Sequence, residues 1–467
     1  WTATAWALEG GAMVWVGVRQ KRLGARVFGV LLQFGSGISF LIAACTPPPT
    51  ALFLNSYFFG CFFISIAGLF SSYYLTHHHD KLHKNEEIVP IPLLVWGLLW
   101  WFGGGIGDLH RHFFHKDFYD VSLLFFSISF LAMAIVAKRL TWRHLSSTLL
   151  CFFPALVILV PFSLNDFSLH VHLLTQWSSI AWLPAILLQY RIMWQFEDEW
   201  PSQAIPLWHL GTMWFVIFVL SLETAWAVDY LIQGEEIWPL ICWGLVPGAL
   251  VLALIRKGGA FPWPVKKHAN QYLDNGISVP VCFLLLWLLI TCTQEGRPGP
   301  LPYLPLINPL ELAQFFVFYV LIVYVWTGTR KPYALQAEFP EYTGIMVLGG
   351  VVFVWLNSVV ARIVSNYSHT SFEARSLFSS DVFQAGISGL WTLIAMAITV
   401  WATRKGNRPV WMTGSVLLGM VVLKLFIVDL SGIGTIARIV SFLVVGVLML
   451  LIGYFSPLPP KIMENSK

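Results

Sequence analysis

Runs of about twenty apolar residues recur along the whole chain, and this repetition constrains the fold more than any other feature. A helix needs about 20 mostly apolar residues to cross the hydrocarbon of a bilayer. The composition agrees, because 57% of the residues are hydrophobic and only 11% are charged, against about 25% charged in soluble domains. Fifteen runs can be marked, near residues 1–19, 27–45, 51–74, 91–106, 121–137, 146–163, 179–194, 207–230, 237–255, 279–293, 309–328, 343–364, 381–402, 410–429 and 438–455. We therefore predict an all-α integral membrane protein of about fifteen transmembrane helices with short loops.

Positive charge alternates from one connecting segment to the next. If the first run crosses from outside to inside, most of the 28 Lys and Arg residues fall in inner segments, as the positive-inside rule requires. Inner clusters include Arg19–Arg26, Arg256–Lys267 and Arg404–Arg408. We predict that the N-terminal end of the sequence lies outside and the C-terminus is cytoplasmic. Residues 1–467 are predicted to form a single polytopic domain, because the linkers leave no room for a soluble one.

Polar and charged residues concentrate toward the predicted outer ends of the runs. A charge at the centre of a membrane helix costs about 2.5–3.5 kcal/mol, so such groups need a counter-ion, a proton or water. Glycines near Asp108 allow irregular backbone at membrane depth only where protein or water covers it. We predict that an outward-facing polar cavity is lined by Glu9, Asp108, His110, Arg111, His112, Glu223, Asn357, Arg362, Trp391 and Lys424.

Three charges interrupt the last two runs. Lys424 lies within a run, and we predict that it pairs with Glu9 or Glu223. Asp429 ends one helix and Arg438 begins the next, so each opposes the dipole of its own helix. A salt bridge across the turn between them would offset both penalties, and we predict that Asp429 and Arg438 form a structural ion pair.

Other polar motifs have structural interpretations. In LINPLELAQ, Asn308 reads as a helix N-cap, Pro309 as the first helical residue and Glu311 as the acid of a capping box. The acidic run FEDEW at 196–200 reads as a solvated face rather than a site. The histidine-rich THHHDKLHKNEE at 76–87 reads as a solvated loop, with metal binding as the alternative.

No sequence motif indicates a particular chemical reaction. The chain contains no G-x-S-x-G, no H-E-x-x-H, no Walker loop and no kinase signature, so catalytic residues stay unknown and enzymatic activity stays open. The six cysteines form no C-x-x-C pair, which gives no sign of a zinc site. We expect no cofactor, no metal and no nucleic-acid partner.

Three stretches carry a family resemblance: ALEGGAMVWVG at 7–17, SGLWTLIAMAI at 388–398 and KLFIVDLSGIGTIARIVSFLVVGVLMLLIGY at 424–454. They resemble an uncharacterised bacterial multi-pass family described only as a predicted membrane protein, a domain of unknown function. The resemblance implies a multi-pass protein of the bacterial cytoplasmic (inner) membrane but no reaction. Members of that family tend to be longer, so we expect this sequence, which begins with Trp1 inside an apolar run, to be the C-terminal portion of a longer chain.

Three functions remain in view. In the first, the outer cavity binds, moves or presents an envelope substrate such as a glycan, a lipid-linked sugar or a lipid. In the second, the chain is a scaffold subunit of an envelope complex, and its buried charges hold helices together. In the third, it is a membrane-embedded enzyme acting on a lipid-linked or periplasmic glycan. The expected partners are membrane lipids and, in addition, other envelope proteins or an upstream part of the same chain.

Overall fold

A computed structural model of the protein describes residues 2–43, 51–164, 172–174, 178–232, 237–328 and 343–425, with isolated positions Ile427, Gly446, Val447, Leu450 and Tyr454. Within these ranges the regular structure is entirely helical. The predicted all-α class is confirmed.

The α-helices are named here in chain order. They are α1 (Thr2–Arg19), α2 (Leu23–Ala43), α3 (Ser56–His77), α4 (Pro90–His112), α5 (His115–Arg139), α6 (Arg143–Thr148), α7 (Phe152–Ser163), α8 (Ser178–Phe196), α9 (Ala204–Leu231), α10 (Ile237–Lys257), α11 (Gly276–Cys292), α12 (Pro309–Gly328), α13 (Thr343–Ser368), α14 (Ala374–Phe378), α15 (Asp381–Lys405) and α16 (Arg408–Lys424). Fourteen of the predicted runs coincide with a helix, the sixth being divided between α6 and α7. The fifteenth, 438–455, lies outside the described residues except for isolated positions.

Eleven helical segments of the described part are long and apolar enough to cross a membrane, from Leu23–Ile42 to Asp381–Lys405. Three helices that were predicted to span are not among these eleven segments: α1, α8 and α16. Polar residues interrupt α8, which contains Gln189 and Arg191, and the described α16 is only 17 residues long. A multi-pass membrane architecture is therefore present, while the number fifteen stays a prediction.

Short polar residues mark several helix starts. The Asn55 side chain accepts a hydrogen bond from Phe58 N at 2.9 Å before α3. Asn407 does the same for Val410 N at 3.3 Å before α16. Gly406 ends α15 with a φ of 66°, in the left-handed conformation that glycine adopts most readily. The caps satisfy backbone groups that have no partner within the helix at its ends.

The chain divides into two compact units. The first comprises Trp1–Leu231 with Arg256–Ile277, and the second comprises Ile232–Ile255 with Ser278–Lys467. The predicted single polytopic domain is not tested by this division, because each unit consists mainly of membrane-type helices.

Within the first unit, α1 and α2 pack with their backbones in contact. A Cβ atom added to Gly10 would lie 2.6 Å from the carbonyl oxygen of Gly29, and one added to Gly29 would lie 2.6 Å from that of Gly10. No side chain fits at either position without moving a backbone. Glycine is what allows two membrane helices to approach this closely.

Hydrogen bonds between residues far apart in sequence join positions that the predicted alternation assigns to one side. His77 Nε2 lies 3.0 Å from the Leu140 carbonyl oxygen, both in predicted inner segments. Trp200 Nε1, in another inner segment, donates at 2.9 Å to the carbonyl of Ser146, which begins the predicted run 146–163 at its inner end. In the second unit, Tyr367 donates to the Tyr303 carbonyl at 3.1 Å, both in predicted outer segments. Which side faces the cytoplasm stays a prediction.

Candidate functional site

Asp108, near the end of α4, is fully buried. Its Oδ2 accepts the backbone N–H of Phe53 at 2.8 Å, and its Oδ1 accepts the side-chain amide of Asn55 at 2.6 Å. Asn55 is the residue that caps α3. The Asp108 carboxylate therefore attaches the segment leading into α3 to the end of α4.

The neighbouring candidates at this helix end have different surroundings. His112 Nδ1 lies 2.9 Å from the Asp108 carbonyl oxygen. His110 is exposed and meets the Phe118 ring edge to face. Arg111 is also exposed, and its guanidinium lies 3.9 Å from the centroid of the Tyr57 ring, a cation–π geometry.

Glu223, in α9, holds residues 172–174 against that helix. Its Oε1 accepts the backbone N–H groups of Leu173 at 2.6 Å and Leu174 at 3.0 Å. Its Oε2 lies 3.4 Å from His172 Nδ1, and the His172 ring stacks on Trp226 with centroids 3.6 Å apart. The carboxylate thus contacts the chain's own backbone.

Arg362 is the centre of a buried polar network in the second unit. Its side chain is fully buried, and it donates to the Thr291 carbonyl at 2.6 Å and the Gln294 carbonyl at 3.0 Å. Its Nη1 donates to Gln314 Oε1 at 3.2 Å and to Glu311 Oε1 at 3.4 Å. Four acceptors from two helices and a helix end therefore surround one guanidinium.

Glu311 corrects the sequence interpretation of the α12 start. Asn308 is the N-cap as predicted, since Leu310 N donates to its Oδ1 at 3.1 Å. The Glu311 carboxylate, however, does not close a capping box on Asn308; it accepts from Tyr303 OH at 2.9 Å and from Leu306 N, and it faces Arg362. The carboxylate is thus held by groups other than its own cap, and removing the facing Arg362 would leave a buried charge uncompensated.

Asn357, Trp391 and Lys424 link helices of the second unit. Trp391 Nε1 donates to Asn357 Oδ1 at 2.8 Å, which joins α15 to α13. Lys424 Nζ donates to Ser388 Oγ at 2.7 Å and to the Gln384 carbonyl at 3.1 Å, which joins α16 to α15.

The remaining predicted charges are Glu9, Asp429 and Arg438. Glu9 is exposed on α1. Because Glu9 and Glu223 belong to one unit and Lys424 to the other, their predicted pairing is not tested. Asp429 and Arg438 lie outside the described residues, and their ion pair stays a prediction.

The predicted outward cavity is not supported by the described grooves. One groove is apolar and lined around Phe34 and Trp96, and another lies around Arg26 and Glu86. Neither contains a residue predicted to line the cavity. Within the first unit, Asp108 and Glu223 lie in separate clusters with separate loop partners, so the cavity stays a prediction.

A cluster that the sequence analysis missed surrounds Glu197, just after α8. The side chains of Glu197, His209 and His268 are 3%, 1% and 12% exposed. Glu197 Oε2 lies 3.1 Å from His209 Nε2 and 2.9 Å from His268 Nε2. One ligand-type atom from each residue lies within 4.8 Å of the other two.

The other oxygen of the carboxylate is held as well. Glu197 Oε1 lies 2.7 Å from Lys267 Nζ and accepts Trp263 Nε1–H at 3.1 Å. Burial alone would raise the pKa of Glu197, but hydrogen bonds from Lys267, His268, Trp263 and His209 outweigh it and hold the pKa below its ordinary value. Glu197 is therefore a buried carboxylate, which corrects the interpretation of FEDEW at this residue, whereas Asp198 and Glu199 are exposed.

Sequence reasoning missed this cluster because its members are far apart in the chain. His268 lies 71 positions after Glu197. It belongs to the segment between α10 and α11, whose apolar residues do not recur at a helical period. His209 gave one usable signal, since it is a titratable residue in the otherwise apolar first half of α9. Nothing in the pattern joined it to FEDEW.

Comparison with known proteins gives one match. A family model described as "Predicted membrane protein (DUF2339)" matches residues 1–459. No curated protein and no solved structure matches the chain.

Proposed function

The chain belongs to this family of membrane proteins, and on that premise we propose that it is a scaffold subunit of a complex in the bacterial cell envelope. In this proposal the helices lie in the cytoplasmic membrane and hold the outer loops in a fixed shape for a partner protein. The family description supports a membrane location and leaves the activity open.

The supporting observation is the bonding of three charges predicted to line the cavity, of which Asp108 and Arg362 are fully buried and Glu223 is 17% exposed. Asp108 uses both carboxylate oxygens on residues of the 53–55 segment. Glu223 accepts two backbone N–H groups, and Arg362 donates to two backbone carbonyls and two side chains. A guanidinium has five N–H donors and no acceptor, so little capacity remains for a substrate.

Asp108 attaches residues 53–55 to its helix, Glu223 attaches residues 172–174, and one Arg362 bond attaches Gln294. The other bonds of Arg362 join α13 to α11 and α12. Loops are ordinarily the mobile part of a protein. A charged side chain that bonds to the backbone of a loop fixes the position of that loop, and removing the charge leaves buried groups without a hydrogen-bond partner, which lowers stability. An arrangement that fixes several loops of the predicted outer side suits a surface that must keep its shape for recognition.

The test is made in a bacterium that carries the gene, with the full-length protein tagged and extracted in mild detergent. On native gels the scaffold proposal expects a band of defined stoichiometry containing a second envelope protein. Asp108→Asn should reduce that complex while membrane insertion, measured by protease protection, is unchanged. His110→Asn, an exposed position on the same helix, serves as the matched control. A protein that runs alone in the wild type contradicts the proposal.

Binding of an anionic envelope substrate is the second candidate. One observation favours it: the guanidinium carbon of the exposed Arg111 lies 3.9 Å from the centroid of the Tyr57 ring, and a guanidinium stacked on an aromatic ring can still bind carboxylate or phosphate through its N–H groups. The measurement is binding of purified full-length protein to vesicles with and without anionic lipid-linked sugar, compared between wild type and Arg111→Gln. Equal binding by both would remove this candidate.

A further inference from the structure

We propose that Glu197, His209 and His268 form a binding site for a divalent transition-metal ion of the Zn²⁺ class, on the predicted cytoplasmic side of the first unit. The site is independent of the proposed scaffold function, which rests on residues of the predicted outer side.

The ligand set matches the chemistry of such ions. Two imidazoles and one carboxylate are a common set of protein ligands for zinc and for divalent iron. Both histidines present the same atom, Nε2, to the same carboxylate oxygen. Three protein ligands leave a fourth tetrahedral position for water or another ligand.

The distance from each histidine Nε2 to the carboxylate oxygen is already close to that of a metal site. Zinc binds nitrogen and oxygen at about 2.0–2.2 Å, which places tetrahedral ligand atoms roughly 3.3–3.5 Å apart. The two Nε2–Oε2 distances are 3.1 and 2.9 Å. An outward shift of a few tenths of an ångström by each group would therefore admit the ion.

The surroundings fix the direction of the ligands. His209 Nδ1 lies 3.1 Å from Tyr272 OH, and a hydrogen bond at the distal nitrogen is what orients most metal-bound imidazoles. Lys267 and Trp263 hold the Oε1 atom of Glu197, which leaves Oε2 as the oxygen facing the histidines. A single-oxygen contact from Glu197 is the binding mode that follows.

A purely structural network is the competing explanation. All four contacts of Glu197 can be hydrogen bonds, with the histidines as donors, and the carboxylate would then be satisfied without an ion. The two explanations differ in one measurable respect: only a metal site binds Zn²⁺ tightly and with a fixed stoichiometry.

The experiment uses purified full-length protein in detergent, stripped with a chelator and then titrated with Zn²⁺ alone. We expect one equivalent per chain, measured by elemental analysis after desalting, with affinity from competition against a chelating dye. His268→Asn and Glu197→Gln should each abolish the tight site. Tyr272→Phe, which removes only the orienting hydroxyl, should weaken binding about 10–100-fold.

The matched control is His79→Asn, an exposed histidine of the 76–87 loop. It should keep the full equivalent, and loss of binding in this variant would assign the metal to that loop and overturn the proposal. Unchanged binding in His268→Asn, or no tight binding by folded wild type, would also overturn it. If the variants fail to fold, X-ray absorption of the zinc-loaded wild type decides: two imidazoles with oxygen in the remaining positions support the site, and sulfur ligation or another number of imidazoles refutes it.

Discussion

Arg26 and Glu86, sixty positions apart in the sequence, form a bidentate ion pair. Arg26 Nε donates to Glu86 Oε1 at 2.9 Å, and Nη2 donates to Oε2 at 2.8 Å. The third guanidinium nitrogen, Nη1, donates to the Gly17 carbonyl at 3.0 Å. The pair therefore connects the ends of α1 and α2 to the segment that precedes α4.

Replacing Glu86 by Gln should destabilise the protein by about 3 kcal/mol, because it leaves a buried guanidinium without its counter-charge. Arg26 is 3% exposed and Glu86 is 14% exposed. The measurement is thermal unfolding in detergent followed by tryptophan fluorescence. Glu87→Gln, at the exposed neighbouring position, should leave the midpoint unchanged; an equal loss there would show that the effect is not specific to the pair.

The stabilisation from Glu86 should disappear in acid. Burial favours its neutral form, but the Arg26 hydrogen bonds and the His83 backbone N–H outweigh this and lower the pKa of Glu86 below its ordinary 4.5. A depressed pKa gives stability that is present above the unfolded-state value and lost as the pH falls through the folded-state value. The midpoint difference between wild type and Glu86→Gln should therefore be constant near neutral pH and shrink below pH 4.5. A difference independent of pH would contradict the pair.

Asp108→Asn should loosen the segment that leads into α3. The variant replaces an acceptor of two N–H groups by an amide that presents a donor to one of them, at a cost of about 1–3 kcal/mol. Hydrogen–deuterium exchange should rise at Phe53 and its neighbours and stay unchanged in α12, which lies in the other unit. Exchange that rises equally in both places would indicate global destabilisation instead.

Arg362 and Glu311 should behave as an interacting pair. Arg362→Gln and Glu311→Gln each leave a buried charge uncompensated and should each cost about 3–5 kcal/mol. The double variant should be less destabilised than the sum of the two, by about 0.5–3 kcal/mol. Arg375→Gln, at an exposed position in α14, is the control for removing positive charge. Additive losses would mean that the two residues act separately.

The stabilisation that Tyr303 gives to the Arg362–Glu311 network should be lost at alkaline pH. Burial and the adjacent Glu311 carboxylate both raise the pKa of Tyr303 above its ordinary 10.0. A raised pKa gives stability that is full below the unfolded-state value and lost as the pH rises toward the folded-state value. The midpoint difference between wild type and Tyr303→Phe should therefore hold from neutral pH to about pH 10 and narrow above it. A constant difference at higher pH would contradict this.

Lys424 and Ser388 should be coupled through their shared hydrogen bond. Lys424→Met and Ser388→Ala should each cost about 1 kcal/mol, and the double variant should cost less than their sum. Strict additivity would show that the 2.7 Å contact contributes nothing. A second cycle, of Lys424→Met with Glu9→Gln, tests the ion pair predicted from the sequence.

Hydropathy was sufficient to place the helices, because the bilayer requires long apolar runs and leaves few alternatives to a helix. Fourteen predicted runs overlap observed helices for this reason. The helix ends were less predictable: α13 continues to Ser368, beyond the apolar run that ended at residue 364. The short α14 has too few residues to produce a hydropathy signal.

The buried polar contacts were harder to predict, because they depend on which segments meet in space. The sequence pattern indicated that Glu311 caps the start of its own helix, yet its carboxylate faces an arginine 51 positions later in the chain. Glu197 looked solvated among other acids, yet Trp263 and His268 cover it from another loop. Sequence spacing identifies partners within one helix, whereas the partners of Glu311 and Glu197 lie in other segments of the chain.

The close contact of Gly10 with Gly29 also orders events during synthesis. Residues emerge from the ribosome in sequence order, and α1 and α2 are separated by only three residues, so this helical hairpin can close as soon as α2 is complete. Glu86 is made sixty residues after Arg26. The hairpin can thus close through the glycine contact and the Arg26–Gly17 hydrogen bond, and the counter-charge of Arg26 is added only when the chain has reached the start of α4.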